Sequence, residues 1–162
     1  MIFVAVGTQF SFDRLIQYMD KWAGSEMNTR QETVIAQTSE SDYVPQHIEA
    51  QPFMDGAQYN ELIKQASVFV SHAGMGNIIS ARELETPIIV MNRQHQLGEH
   101  RNDHQAEGLK WMAKLEGVYT ASTQEELYQW LAKLDELKPA SSGNTVGSPE
   151  LSNYIADFIL KG

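Results

Sequence analysis

The sequence predicts an α/β domain: a Rossmann-like parallel sheet flanked by helices. Three apolar runs, at residues 2–6, 68–70 and 87–91, are almost continuously hydrophobic, which is typical of parallel strands covered on both faces. Between these runs, apolar residues recur at helical spacing behind capping residues. Because strands alternate with helices along the chain, right-handed βαβ units are expected.

The remaining strands are predicted from weaker signals. Candidate strands lie at residues 33–36 and 48–53, and a last short strand lies at 118–119. The first helix is predicted to begin after Ser11, a natural N-cap, and to end at Gly24.

Capping patterns predict the other helices. Residues 55–58 and 123–126 each have a capping acceptor followed three residues later by Gln or Glu, which is the form of a capping box. Asn77 is predicted to open a helix that runs toward Leu84. A further helix is expected over residues 103–115.

The domain organisation follows from a change in composition near the end of the chain. A single domain is predicted over residues 1–137, followed by a flexible linker over 138–148 that is rich in Ser, Gly and Pro. Ser148 and Pro149 suit the start of a last helix over 149–162. This helix carries one apolar stripe: Leu151, Tyr154, Ile155, Phe158 and Ile159.

Composition excludes several classes of protein. The 162 residues are 42% hydrophobic and 20% charged, with a net charge of −9, which disfavours nucleic-acid binding and polybasic docking on a membrane. The chain has no cysteine, so it has no disulfide or thiolate chemistry, and this suits a reducing cytosol. Its apolar runs are shorter than the ~20 residues of a membrane span, and its first run lacks the basic start of a signal peptide. A cytoplasmic protein is expected.

The strongest local signal is the glycine-containing turn at residues 71–77, which follows a buried strand and opens a helix. Gly74 and Gly76 allow backbone N–H groups to approach an anion at the positive end of that helix. The spacing is not the dinucleotide fingerprint, because Ile79 stands where the third glycine belongs, and it is not a P-loop. A tight turn without any ligand is the alternative interpretation.

A second polar turn, with Gly7, Thr8 and Gln9, follows the first strand at the same edge of the sheet. Ligands of open α/β sheets bind beyond the carboxyl ends of the strands, so both turns are expected to face one site. The alternative is a capped turn in which Thr8 and Ser11 satisfy only the backbone.

The third signal is a polar segment at residues 92–105, rich in Asn, Gln, His and Glu. Together such side chains supply both hydrogen-bond donors and acceptors, as sugar hydroxyls require, although a solvated loop is the alternative. A metal site is a further interpretation of this segment, because Glu99 adjoins His100 and His104 follows four residues later. The spacing matches no zincin motif, so no metal is predicted.

Taken together, these segments resemble the glycosyltransferase family 28 C-terminal domain, which is the nucleotide-sugar-binding half of GT-B enzymes. The chain is most similar to small bacterial exopolysaccharide and capsule transferase subunits. It also resembles the catalytic subunit of the eukaryotic two-subunit enzyme that adds the second N-acetylglucosamine to a dolichol-linked sugar. The resemblance covers residues 1–115 and rests on motifs in a fixed order: 3–9 with 12–15, 71–76 followed by 87–90, and 98–100 with 102–105.

The resemblance implies a UDP-sugar as donor substrate, with no cofactor and no metal. Gly74, Met75 and Gly76 would present backbone amides to the diphosphate, while His104 and Gln105 would contact the donor sugar or the nearby phosphate. The other implied binding residues lie in the same segments: Gly7, Thr8, Gln9, His72, Asn77 and Glu99.

The chain departs from the family pattern at two positions. Ser80 stands where many relatives carry an acidic residue for the ribose hydroxyls, and Glu83 is a possible substitute on the same helix. Gly108 stands where some relatives have an Asn.

The function implied is that of a hexosyltransferase subunit in exopolysaccharide or capsule biosynthesis. Its metal-independent, inverting reaction would move a hexose or N-acetylhexosamine to a polyprenyl-diphosphate-linked acceptor. Because a GT-B enzyme has two such domains, a membrane-anchored partner would supply the acceptor half in a heterodimer at the inner face of the plasma membrane. His72 and His100 are the candidate bases, unless the base lies in the partner. The alternatives are a non-catalytic enhancer subunit and a sugar-nucleotide epimerase.

Overall fold

The structure, a computed structural model, describes residues 1–7, 11–92 and 109–140. The strands in this part of the chain are β1 Ile2–Ala5, β2 Val34–Gln37, β3 Glu49–Gln51, β4 Val68–His72, β5 Ile88–Met91 and β6 Val118–Ala121. All neighbours pair in parallel, in the order β3-β2-β1-β4-β5-β6. This is the strand order of a Rossmann-like fold.

Helices cover both faces of the sheet. The helices with complete bounds are α1 Asp13–Ala23, α2 Gly56–Gln65, α3 Met75–Glu83 and α4 Gln124–Leu131. One core joins α1 and α4 to one face of the sheet, and a second core joins α2, α3 and the segment at 109–115 to the other face. The central strands are therefore buried on both sides, as their continuous apolar sequences predicted. In the described part of the chain, no helix is long and apolar enough to cross a membrane.

The predicted strands are all confirmed, with ends that differ by one or two residues. The weak candidates at 33–36 and 48–53 correspond to β2 and to the short edge strand β3. The prediction at 118–119 extends to a strand of four residues, β6.

Two predicted helix starts are wrong. The N-cap of α1 is Phe12, which makes no side-chain cap, rather than Ser11. Ser11 is exposed whereas Phe12 is completely buried, so packing of the aromatic ring decides where the helix begins. Likewise α3 begins at Met75 behind Gly74, because the side chain of Asn77 is bonded to other elements and does not cap. The end of α1 at Gly24 is confirmed.

Both capping boxes lie at the start of a helix, but in neither does the Gln or Glu side chain bond to the N–H of the cap residue. Asp55 accepts from the N–H of Gln58, whose side chain contacts β3 instead of returning to the cap. Thr123 accepts from the N–H of Glu126, and the Glu126 carboxylate accepts from the N–H of Ser122 rather than from that of the cap itself. The N-cap half of each box, in which the cap accepts from the third helical N–H, is present.

The connection between β2 and β3 is irregular and is held by a buried carboxylate. Asp20, only 2% exposed on α1, accepts hydrogen bonds from the Tyr43 hydroxyl and from the N–H groups of Gln46 and His47. Burial raises the pKa of Asp20, but the hydrogen bonds from Tyr43, His47 and Gln46 outweigh burial and hold this pKa below its ordinary value. The crossover is therefore fixed to α1 without a helix of its own.

The end of the described chain lies against the domain. The N–H of Lys138 donates to the Tyr119 hydroxyl at 2.8 Å, and Ala140 is 1% exposed beside Gly117. The first three residues of the predicted linker thus pack on the sheet. Residues 141–162, with the predicted C-terminal helix, lie outside the described residues, so the division into domain, linker and helix stays a prediction.

Candidate functional site

The two predicted turns lie side by side at the carboxyl edge of the sheet. The order of strands reverses between β1 and β4, and such reversals form the ligand crevice of open α/β sheets. Gly7 follows β1, and Gly74 follows β4. Because Ala5 pairs with Ser71, both turns leave the sheet at the same level.

The imidazole of His72 fills the space between these two glycines. A Cβ atom built on Gly7 would lie 3.1 Å from His72 Cε1, and one on Gly74 would lie 2.5 Å from His72 Nε2. The structure therefore brings three of the predicted site residues together. A side chain at either glycine would displace the ring.

A buried glutamine, Gln37, fixes the turn after β1. Its Oε1 accepts from the N–H of Gly7 at 3.2 Å and of Val6 at 3.3 Å, while its Nε2 donates to the carbonyls of Gly7 at 3.0 Å and Pro52 at 2.7 Å. Gly7 has a φ of +85°, a left-handed conformation that glycine adopts without strain. Sequence reasoning missed Gln37, although a glutamine that ends a buried strand is itself a signal.

The N-terminus of α3 has the features of an anion site. The first N–H groups of a helix, here those of Met75, Gly76 and Asn77, have no partner within the helix, and the cap residue Gly74 provides no side-chain hydrogen bond. Among residues 1–7, 11–92 and 109–140, no neighbouring atom would lie within 4 Å of a Cβ atom built on Gly76. The first turn therefore faces open space at Gly76, where N–H donors and the positive end of the helix favour an anion.

The side chain of Asn77 is bonded at both ends within the protein. Its Oδ1 accepts from the Tyr59 hydroxyl at 2.7 Å, and its Nδ2 donates to Ser71 Oγ at 2.7 Å. Ser71 Oγ in turn donates to the carbonyl of His72 at 2.8 Å. These two hydrogen bonds hold the Asn77 side chain against α2 and β4, while its backbone N–H lies in the first turn of α3.

A positive charge stands at the same edge, on α1. The guanidinium of Arg14 donates through Nη2 to the carbonyl of Asn92 at 2.9 Å, just beyond β5. It also lies 5.2 Å and 5.7 Å from the ring centroids of Phe12 and Tyr18. Sequence reasoning used Arg14 only as part of a motif and did not assign it to the site.

Several predicted site residues lie outside the described residues. They are Thr8, Gln9, Glu99, His100, His104 and Gln105, and their roles stay predictions. Across residues 1–7, 11–92 and 109–140, no group of three or more His, Asp or Glu side chains is arranged to hold a metal ion.

A broad cavity of about 820 Å³ opens at the opposite, amino-terminal edge of the sheet. It lies between the end of α1 and the starts of β2 and β3, and is lined mainly by polar side chains. Parallel sheets bind ligands at the carboxyl ends of their strands, so we assign the candidate site to the crevice between β1 and β4 rather than to this cavity.

Solved structures share this fold. An NMR solution structure of ALG13 superposes with a TM-score of 0.65 and 17% identity, over 99% of this chain and 96% of that one. The glycotransferase of kitacinnamycin gives 0.56 and 14%, over 97% of this chain and 38% of that one. The calicheamicin glycosyltransferase CalG4 gives 0.54 and 12%, over 96% and 37%. The chain thus spans little more than a third of the last two proteins.

The sequence comparisons address the family. Among curated proteins, no sequence matches this chain. Residues 1–148 match the family model of the glycosyltransferase family 28 C-terminal domain. This match covers most of the 162 residues, and the fold agrees with the neighbours above. The chain therefore belongs to the glycosyltransferase family 28 C-terminal domain family, and its Rossmann-like α/β fold is that of the C-terminal half of a GT-B glycosyltransferase.

Proposed function

We propose that this chain binds a UDP-sugar and is the donor-binding subunit of an inverting glycosyltransferase. Its reaction would move a hexose or N-acetylhexosamine to a polyprenyl-diphosphate-linked acceptor in exopolysaccharide or capsule biosynthesis. The observation that carries this proposal is the uncapped first turn of α3, which meets open space at Gly76 in the crevice between β1 and β4. Family membership gives the site its context.

A diphosphate fits the chemistry of this turn. Its oxygens accept hydrogen bonds from backbone N–H groups, and its negative charge is stabilised at a helix N-terminus. Arg14 adds a fixed positive charge at the carboxyl end of β5. In a chain with a net charge of −9, the N–H donors of α3 and a guanidinium at the same edge of the sheet are features that favour an anion.

The proposed chemistry is a single displacement at the anomeric carbon. The acceptor hydroxyl oxygen forms the new bond on one face of the sugar, and the bond to the UDP oxygen breaks on the other face, which inverts the configuration. The proton of the hydroxyl goes to a base, and UDP leaves with the pair of electrons. The N-terminus of α3 stabilises the charge that develops on the leaving diphosphate, so the reaction would need no metal.

His72 is the candidate base that the described residues offer. Its imidazole is half-buried between Gly7 and Gly74, and a histidine accepts a proton readily near neutral pH. His100 remains the second candidate. A base supplied by the partner is the third possibility.

The proposed reaction also needs a half that binds the acceptor, because the family model that this chain matches describes a C-terminal domain. We propose that a membrane-anchored partner supplies the acceptor half, and that this chain is a cytoplasmic protein recruited through that partner to the inner face of the plasma membrane. The predicted helix over 149–162 is the proposed contact.

Calorimetric titration of UDP into the purified chain and two glycine variants tests the proposal. In Gly76→Val, the side chain would stand where the phosphate approaches, so UDP affinity should fall at least about tenfold, as expected for loss of one or more charge-assisted hydrogen bonds. Gly56→Val is the matched control, because Gly56 also lies in the first turn of a helix and a Cβ atom there also meets nothing within 4 Å. Circular dichroism checks that both variants are folded.

Two results would contradict the proposal in different ways. Unchanged UDP affinity in a folded Gly76→Val protein would place the diphosphate elsewhere. A wild-type chain that binds no UDP, yet is needed for the activity of a separate transferase, would favour the non-catalytic enhancer subunit instead.

A further inference from the structure

A chain of three hydrogen bonds lies directly behind the proposed diphosphate turn. It runs from the Tyr59 hydroxyl on α2 to Asn77 on α3, from Asn77 to Ser71 on β4, and from Ser71 to the carbonyl of His72. Each bond is 2.7 or 2.8 Å long, and in each one the donor is the group nearer to Tyr59. The three hydrogen bonds therefore connect α2, α3 and β4 at one point.

The position of the Tyr59 hydroxyl is set by aromatic packing. The ring of Tyr59 stands edge-on to Phe3 of β1, with centroids 5.2 Å apart, and to Phe69 of β4, with centroids 6.1 Å apart. Phe3 and Phe69 are themselves stacked. A ring held against two strands leaves its hydroxyl little freedom to move away from Asn77.

We propose that Tyr59 is a positioning residue for the diphosphate turn: acting through Asn77 and Ser71, its hydroxyl fixes the first turn of α3 and the peptide of His72. This inference rests on the proposed function, since it names what holds the same site in place. Asn77 is the third residue of α3, and its side chain is anchored at both ends. Its own N–H and that of Gly76 are therefore held in one direction.

The protonation state of the Tyr59 hydroxyl indicates that these hydrogen bonds are a constant support for α3 rather than a pH-dependent switch. Burial raises the pKa of Tyr59 well above its ordinary value, and the hydrogen bond to Asn77 lowers it only in part. The hydroxyl thus keeps its proton and remains a donor throughout the neutral range. Without it, Asn77 Oδ1 would lose its donor, and the first turn of α3 would be free to fray.

Tyr59→Phe is the test, because it removes the hydroxyl and keeps the ring on Phe3 and Phe69. Tyr128→Phe is the matched control: the Tyr128 hydroxyl also donates one short hydrogen bond, to the carbonyl of Tyr18 at 2.6 Å, but on the other face of the sheet. We expect UDP affinity to fall roughly 2- to 10-fold in Tyr59→Phe, as for loss of one neutral hydrogen bond. It should be unchanged in Tyr128→Phe.

A second readout needs no ligand. The N–H of Ile78 makes the first backbone hydrogen bond of α3, to the carbonyl of Gly74 at 3.2 Å. Its hydrogen exchange, followed by NMR, reports opening of the first turn. The N–H of Ile78 should exchange roughly 2- to 10-fold faster in Tyr59→Phe than in Tyr128→Phe. Both variants lose one hydrogen bond, but only Tyr59→Phe loses the bond that holds Asn77.

Asn77→Ala shows whether Tyr59 acts through Asn77. If it does, adding Tyr59→Phe to Asn77→Ala should change neither Ile78 exchange nor UDP affinity further. Effects that add in the double variant, or Ile78 exchange that is the same in Tyr59→Phe and Tyr128→Phe, would overturn the inference. If Ile78 responds as expected while the wild-type chain binds no UDP, the support stands and the proposed function fails.

Discussion

The close approach of Gly74 and the His72 imidazole allows a quantitative test of the candidate site. Gly74 has φ −120° and ψ 134°, an extended conformation that any residue adopts. Gly74→Ala therefore adds no backbone strain. Its new Cβ would lie 2.5 Å from His72 Nε2. This distance is a steric clash, so the imidazole must move. The cost of the variant is the cost of moving that ring.

The size of this cost follows from packing. Extra atoms forced into a packed site typically cost about 1–3 kcal/mol, and replacement of glycine by alanine at an N-cap costs some tenths more. In a His72→Ala background the ring is absent, so only the capping cost should remain. The coupling between the two substitutions should therefore equal the packing cost, about 1–3 kcal/mol, which is within the range measured for residues in contact.

Urea unfolding of the wild type, the two single variants and the double variant measures this coupling. Gly7→Ala is the contrasting case: its Cβ would lie 3.1 Å from His72 Cε1, but its φ of +85° also imposes about 1–2 kcal/mol of backbone strain. His72→Ala should remove little of that strain. If Gly74→Ala lowers the free energy of unfolding equally with and without His72, then the imidazole does not fill the space between Gly7 and Gly74.

Three further predictions concern the crossover, the metal and the partner. Asp20→Asn should lower the free energy of unfolding by about 2–4 kcal/mol at neutral pH. The folded pKa of Asp20 is lowered, so its contribution to stability is present above the unfolded pKa of about 3.9. This contribution is lost as the pH falls through the folded pKa. In urea titrations, the unfolding free energies of the variant and the wild type should therefore converge in acid. Transferase activity, assayed with the partner, should persist in a chelator; a strict requirement for Mg²⁺ would show that a cation stabilises the leaving group. Deletion of residues 149–162 should abolish partner binding in pull-down assays and leave UDP affinity intact, whereas a truncated chain that unfolds would mean that the helix belongs to this domain's own core.

The sheet could be predicted from sequence because its physics is local to each strand. A parallel strand buried on both faces is apolar along most of its length. β1 and β5 are each four apolar residues, and β4 begins with three before Ser71 and His72. Even the weaker strands β2 and β3 fell within two residues of their predicted ends. Alternation of strands with helices then restricts the topology to a few arrangements.

Helix starts were harder to predict because tertiary contacts decide them. Ser11 and Asn77 are good capping residues by type, yet Ser11 is exposed beside a buried Phe12, and Asn77 is bonded to Tyr59 and Ser71. Both partners of Asn77 come from other elements. The intrinsic preference of a side chain for a cap is worth only about 1 kcal/mol, so two part-buried hydrogen bonds to other elements can outweigh it.

The residues of the candidate site could be found from the sequence only in part, and for a related reason. The glycines were visible because a turn that binds an anion through its backbone needs residues without a Cβ. Gln37 and Tyr59 were not visible, since each supports a turn more than fifteen residues away in sequence. A single sequence shows which residues are fit to touch a ligand, but the residues that hold them in place are defined only by packing.

The charge of the chain bears on how such a site would work. A net charge of −9 opposes the approach of any anion, but at physiological salt charges beyond about 8 Å are largely screened. The N–H groups of α3 would act at contact distance, where screening is weak, and Arg14 stands at the same edge of the sheet, at the carboxyl end of β5. Local donors can therefore outweigh a larger but distant negative charge. This balance requires the donors to be held rigidly, because a first turn that frays loses both its direction and its dipole. The proposed site would therefore depend on the supports from Gln37 and Tyr59 as well as on the glycines that would face the diphosphate.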